Sequence, residues 1–378
     1  MTRIAAVHGV LAPHRYPQEE LTALVARNCL PQGADRRVLR RLHTSARVRH
    51  RNLALPVEEY AGLHGLGARN EVFVDTACSL GAEAVRGALR AAGVRPEDVD
   101  LLMFTSVTGI AAPSVDARLV GRLGLRPDVK RLPIFGLGCV AGAAGIARLH
   151  DYLLGRPDQV AVLLSVELCS LTFQRGDDSM ANLVASGLFG DGAAAVVAVG
   201  PDHPAYAGAA AQGVRAPGTA GSSGSDRETA TAPSAPRVVD SRSRMYPDTE
   251  RVMGWDVTDT GFRVVLDATV PDVVRRYLAD DVHAFLADHG LKPQDITAWV
   301  CHPGGPKVLE AVSEALALPE GALDVTWRSL EEIGNLSSSS VLHVLRDTLA
   351  ERRPPRGTPG LLLAMGPGFC AELVLLDW

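Results

Sequence analysis

Two rhythms of apolar positions run along the chain. Short, largely apolar runs at residues 4–10 and 160–167 predict strands, the second bounded like a buried one. Residues 18–29 instead set Leu21, Leu24, Val25 and Cys29 at helical spacing, and residues 70–92 read as a longer helix containing Gly81. Residues 187–197 give a glycine-punctuated turn and then a strand, and order resumes at Gly261 with Phe-Arg-Val-Val-Leu. Residues 360–378 read as two strands about Gly366-Pro367-Gly368, a hairpin. Between these, residues 212–237 are rich in Gly, Ser, Thr, Ala and Pro and lack periodicity, which predicts an exposed, mobile loop.

One stretch combines a strand end with reactive chemistry. An apolar run closes in Gly136-Leu137-Gly138, Cys139 follows, and small residues lead into a helical pattern near Ile146. A thiol at a helix N-terminus feels the positive end of the dipole, which favours the nucleophilic thiolate. A buried and inert cysteine is the competing reading of the same residues.

The chain echoes itself. Residues 93–106 recur at 290–303 with Gly, Pro and Asp in register at Gly93/Gly290, Pro96/Pro293 and Asp98/Asp295, an offset of 197 residues. Gly138-Cys139 with its helix matches Gly334-Asn335 with the following helix at an offset of 196. Two echoes in one order point to an internal duplication, each half holding helices and a mostly parallel sheet. The halves are then residues 1–211, carrying Cys139, and 238–378, carrying His302 and Asn335, joined by the 212–237 loop. Packed about a pseudo-twofold axis, the halves would turn these residues toward one cavity.

Composition narrows the class. The 378 residues are 47% hydrophobic, 21% charged and only 5% aromatic, with a net charge of −5, which suits a large core of small branched side chains. No charged leader precedes an apolar core and no 18-residue apolar run is present, so neither a signal peptide nor a membrane span is expected. Six scattered cysteines without metal-ligand spacing fit a reducing cytoplasm and no metal. The segment 36–51 holds seven arginines and no acidic residue. It reads either as a solvated helix face or as a phosphate site at a pocket mouth. The acidic chain and the absence of an aromatic residue in that segment argue against nucleic acid.

Cysteine, histidine and asparagine at glycine-flanked element ends suggest nucleophile, proton acceptor and amide donor, a set suited to thioester chemistry. Five motifs sharpen this: Gly136-Leu-Gly-Cys139-Val-Ala-Gly142, Cys301-His302-Pro-Gly-Gly-Pro306, Gly334-Asn335-Leu-Ser-Ser338, Leu188-Phe189-Gly-Asp-Gly-Ala-Ala194 and Met365-Gly366-Pro-Gly-Phe369. In this order they resemble the chalcone synthase-like family, the type III polyketide synthases. That resemblance implies a thiolase-like α/β fold with layered α-β-α-β-α architecture, and a homodimer. It also implies decarboxylative condensation of malonyl-CoA or methylmalonyl-CoA extenders onto an acyl-CoA starter, with no cofactor beyond the CoA thioesters.

Carried onto this chain, the resemblance makes Cys139 the acyl-holding nucleophile and His302 with Asn335 the decarboxylation pair. Phe189 and Phe262 match the gate between the CoA tunnel and the cavity. Thr172, Cys169, Ala112 and Ser337 fall at cavity-lining positions, and Gly366, Pro367 and Gly368 at the loop shaping its wall. Gly304 and Gly305 would let the backbone approach the CoA arm, with Lys307, Arg47, Arg49 and Arg51 meeting its phosphates. Small side chains at Ala112 and Cys169 lead us to expect a roomy cavity, a fatty acyl-CoA starter and an alkylresorcinol or alkylpyrone product. The alternatives are a tetrahydroxynaphthalene-type synthase that takes malonyl-CoA as its own starter, or a β-ketoacyl carrier-protein synthase of the same fold. The last lacks the Pro-Gly-Gly-Pro and Gly-Pro-Gly-Phe motifs. A papain-type hydrolase shares the order Cys, His, Asn but has an aromatic residue after its nucleophile, and this chain does not.

Overall fold

The structure, a computed structural model, describes residues 1–31, 35–208 and 235–378. A nine-stranded sheet runs through it in the order Ala298–Cys301, Pro359–Gly366, Cys370–Asp377, Arg237–Met245, Thr2–Leu11, Asp191–Val199, Val160–Leu168, Leu101–Thr105 and Lys130–Ile134. The four strands from the C-terminal half join the five from the N-terminal half through one short antiparallel pairing, Thr2 with Val238 and Arg3 with Arg237. The sheet is mixed rather than mostly parallel. Val160–Leu168 and Asp191–Val199 pair antiparallel, as do the two strands of the C-terminal hairpin, whose short turn returns the chain beside itself.

Three apolar clusters define the layers. The helices Gly65–Ala92 and Val115–Leu123 cover one face of the N-terminal strands. The helices Val270–Ala287 and Pro306–Ala315 cover the C-terminal strands. Between them lie the helices Ala141–Leu154 and Ser340–Glu351, packed on strands of both halves. This is the expected helix–sheet–helix–sheet–helix layering.

The sequence echo is a structural echo. Gly93 and Gly290 both end helices with left-handed φ values of 66° and 69°, a conformation open to glycine at little cost. A 3-10 turn follows each, at Pro96–Asp98 and Pro293–Asp295, and then a buried strand. The predicted helix Gln18–Cys29 and the terminal hairpin form where expected, while the helix predicted from residue 70 starts earlier, at Gly65. Of the expected loop, residues 212–234 and the boundary at 211 lie outside the described residues, whereas Arg237 already opens a strand. No helix among the described residues is long and apolar enough to cross a membrane.

The central helices approach closely because Gly142 has no side chain. A Cβ there would collide with the Ser338 carbonyl and come within 2.6 Å of Val341. Gly142→Ala is therefore expected to destabilise the fold by about 1–3 kcal/mol, the usual cost of overpacking, measured as a lowered midpoint of thermal unfolding. An unchanged midpoint would show that the helices can part freely.

Candidate active site

The strand Lys130–Ile134 leads into a 3-10 turn, Gly138–Val140, that opens the helix Ala141–Leu154, and Cys139 sits in that turn, buried. Gly138 adopts φ +57°, and a Cβ there would lie 2.6 Å from the Pro367 ring. A Cβ on Gly366 would lie 2.7 Å from the Val140 amide nitrogen. The tip of the terminal hairpin thus presses on the cysteine turn from the other half of the chain. The Cys139 thiol donates to Ser337 Oγ at 3.6 Å.

His302 follows the strand Ala298–Cys301, and its backbone N–H extends the ladder to the Leu363 carbonyl at 2.8 Å. Its ring is buried, and neither nitrogen has a hydrogen-bond partner. Asn335 donates from Nδ2 to the Gly304 carbonyl (3.2 Å) and accepts at Oδ1 from the Ser337 amide (2.8 Å). An amide nitrogen carries two hydrogens, so one of the two on Asn335 remains available. Cys139, His302, Asn335 and Phe189 together line a chamber of about 40 Å³.

Cys169, Thr172, Arg51, Tyr60 and Trp255 line a second chamber of about 80 Å³, and Phe189 stands on the wall of both. Phe262 lies outside both linings. It is buried in an aromatic group, its ring 6.2 Å from Phe135 and 6.5 Å from Trp255. Ala112 is exposed on a loop and lines neither chamber of its own chain.

The basic segment divides. It forms the helix Arg37–Ser45 and the short strand His50–Leu53, on one wall of an open cleft of about 1210 Å³ that holds Arg36, Arg40, Arg47 and Arg49. Arg47 lies over the Trp327 ring at 5.0 Å, and Arg49 pairs with Glu331 (2.7 Å) and Glu332 (3.5 Å). Arg51, expected beside them, is turned inward and only 5% exposed, so it is not at the cleft surface. Lys307 is exposed at the start of the helix Pro306–Ala315, whose Glu310 is 3.9 Å from Arg47.

Burial dominates the electrostatics. It pushes the Cys139 thiol up to about 12, with nearby Glu167 adding to the rise, and pulls His302 down to about 3. Burial thus opposes the expected effect of the helix dipole on this thiol. A helix terminus contributes about 0.3–1 kcal/mol, whereas each pKa unit of desolvation is worth about 1.4 kcal/mol. A lone charge on either group is therefore disfavoured by the same burial.

Sequence reasoning missed the carboxyl that braces this site. Glu167 is fully buried and accepts hydrogen bonds from the Ser338 hydroxyl, Thr108 Oγ1 (3.0 Å) and the Val107 amide (3.1 Å). It ties a central strand to the Ser337–Ser339 turn beneath Cys139. A single acidic residue closing a buried apolar strand was the available signal.

Comparison with known proteins fits this arrangement. The family model for the N-terminal domain of chalcone and stilbene synthases matches residues 19–203, and that for the C-terminal domain matches residues 237–377. A 1,3,6,8-tetrahydroxynaphthalene synthase from Streptomyces peucetius subsp. caesius is 59% identical over 377 residues, covering 100% of this chain and 93% of that protein. Another from Streptomyces griseus is 30% identical over 370 residues, covering 98% and 91%. The crystal structure of the Streptomyces coelicolor A3(2) tetrahydroxynaphthalene synthase, a bacterial type III polyketide synthase, superposes with a TM-score of 0.86 at 30% identity, covering 100% of this chain and 99% of that one. The chain belongs to the chalcone and stilbene synthase family and is a type III polyketide synthase, an acyl-transferring, carbon–carbon bond-forming enzyme.

Proposed function

We propose that this enzyme is a tetrahydroxynaphthalene-type synthase that uses malonyl-CoA as both starter and extender. The observation that carries this reading is the 59% identity, over the whole chain, with a 1,3,6,8-tetrahydroxynaphthalene synthase. It replaces the fatty acyl-CoA starter and alkylresorcinol or alkylpyrone product expected from small side chains. One of those side chains, Ala112, is exposed.

In this reading the Cys139 thiolate, its proton passed to His302, attacks the starter thioester carbonyl, and CoA leaves as the thiol. His302 and the free N–H of Asn335 then donate to the thioester carbonyl of the next malonyl-CoA. Carbon dioxide departs, the donors hold the enolate oxygen, and the enolate carbon attacks the acyl group on Cys139, whose carbon–sulfur bond breaks to release the Cys139 thiolate and leave the lengthened chain on CoA. Phe189, between the chambers, keeps the two thioesters in line. The CoA thioesters are the only small molecules required. Arg47, Arg49 and Lys307 form the rim that meets CoA phosphates, with Gly304 and Gly305 beside the pantetheine arm.

The working unit in this reading is a homodimer. Lys130–Ile134 is an unpaired edge of the sheet, and around it Ile110 (48%), Leu132 (44%) and Phe135 (54%) are exposed. The strand itself also carries Lys130, Arg131 and Pro133, so it is the exposed apolar side chains around it that support a self-association surface.

The test is a ladder of starters. Values of kcat/KM for malonyl-CoA alone, and for acyl-CoAs of increasing length with malonyl-CoA as extender, are expected to fall or stay flat with length. A buried methylene is worth about 0.8 kcal/mol, so a hidden acyl tunnel would instead make kcat/KM climb steeply before levelling. That profile would restore the long-chain reading.

A further inference from the structure

Arg51 is buried yet forms its hydrogen bonds to neutral groups: Nε donates to Gln18 Oε1 (3.0 Å) and Nη1 to the Phe189 carbonyl (3.0 Å). Gln18 in turn donates from Nε2 to the Gly187 carbonyl at 2.7 Å, so the pair grips the segment carrying Phe189 at two points. The stem of Arg51 is placed as tightly. A Cβ on Gly334, the residue before Asn335, would lie 3.3 Å from Arg51 Cγ. Phe189 and Asn335 are themselves joined by a parallel bridge, with Asn335 N–H on the Leu188 carbonyl (2.8 Å) and Gly190 N–H on the Asn335 carbonyl (3.0 Å). One side chain therefore touches both turns that meet at the Cys139 chamber. A buried guanidinium is costly to retain where it only fills space. Burial lowers Arg51 to about 10, with Asp191 opposing the fall, so it stays charged at neutral pH.

We propose that Arg51 is a positioning residue for decarboxylation, setting the Asn335 amide through the backbone bridge that joins it to the Phe189 segment. The inference rests on the role given to Asn335 above. It predicts that Arg51 acts on malonyl decarboxylation and not on the reactivity of Cys139, which is held by other elements.

The experiment is a double-mutant cycle on the full-length enzyme with Arg51→Met and Asn335→Ala. Malonyl-CoA decarboxylation and iodoacetamide labelling of Cys139 are both followed at pH 7. Arg51→Met keeps the stem and removes the donors. It is expected to slow decarboxylation about 10-fold, since a small misplacement of a catalytic group has effects of this order. Labelling should stay within about twofold of wild type, and in the Asn335→Ala background Arg51→Met should cost nothing further, as coupled residues behave. Arg51→Lys, which keeps the charge without the planar fork, should recover only part of the loss. A full further loss in the Asn335→Ala background would overturn the inference. So would labelling that falls in step with decarboxylation, or a silent Arg51→Met. If Asn335→Ala itself leaves decarboxylation intact, the reading of Asn335 fails and takes this inference with it, an outcome distinct from failure of the cycle alone. Should Arg51→Met not fold, Gln18→Ala at the half-buried start of its helix gives the same reading at about threefold, and no effect there would equally overturn it.

Discussion

Cys139→Ala is expected to abolish both the acyl-enzyme and the polyketide product while the fold survives. The change removes one buried sulfur that donates a 3.6 Å hydrogen bond to Ser337 Oγ. The glycine contacts that place the turn, Gly138 on Pro367 and Gly366 on Val140, are untouched. Chemically nothing replaces the thiol. Two other cysteines stand beside the site, Cys301 in the same chamber and Cys169 in the second, and burial pushes both thiols up. Intact-mass measurement after incubation with malonyl-CoA reads the result directly. An adduct on the variant at full occupancy would move the nucleophile elsewhere.

His302→Ala and Asn335→Ala are expected to separate two steps that share a chamber. Each removes one donor to the developing enolate oxygen, so each should slow malonyl decarboxylation by about 10²-fold or more. Their effects on Cys139 should differ. In wild type the buried thiol can ionise by passing its proton to His302, the pair titrating as one unit. Without His302 the thiol is left where burial holds it, at about 12. Its thiolate fraction is then very small at pH 7 and rises about tenfold per pH unit, the behaviour of an acid far below its pKa. Iodoacetamide labelling of His302→Ala should follow that slope, while Asn335→Ala should label like wild type. A wild-type labelling profile in His302→Ala would remove histidine from the activation of Cys139.

Much of this was legible because it depends on local backbone demands. Gly93 and Gly290 mark helix ends, Gly138 marks a turn that a side chain would block, and an internal echo fixes the pairing of halves. Those features also place Cys139 and Asn335 at related turns, although Asn335 precedes its 3-10 turn while Cys139 lies within its own. What stayed hidden depends on direction and distance in three dimensions. Arg49 and Arg51 are alike in sequence, yet one pairs with Glu331 at the surface and the other turns inward on the Phe189 carbonyl. Ala112 is small, but size says nothing about whether a loop faces a cavity or solvent. The electrostatic surroundings of Cys139 are hidden for the same reason. The dipole is visible from a helix start, and the larger effect, burial by residues from the other half, is not.

The central claim is that Cys139, His302 and Asn335 condense malonyl units onto a malonyl-derived starter. The most direct test supplies uniformly labelled malonyl-CoA as the sole thioester and weighs the product. A naphthalene skeleton of ten carbons needs five two-carbon units, so the account predicts a tetrahydroxynaphthalene in which every carbon is labelled. No product without an added acyl-CoA, or a product whose label leaves an unlabelled alkyl chain once one is supplied, would contradict it.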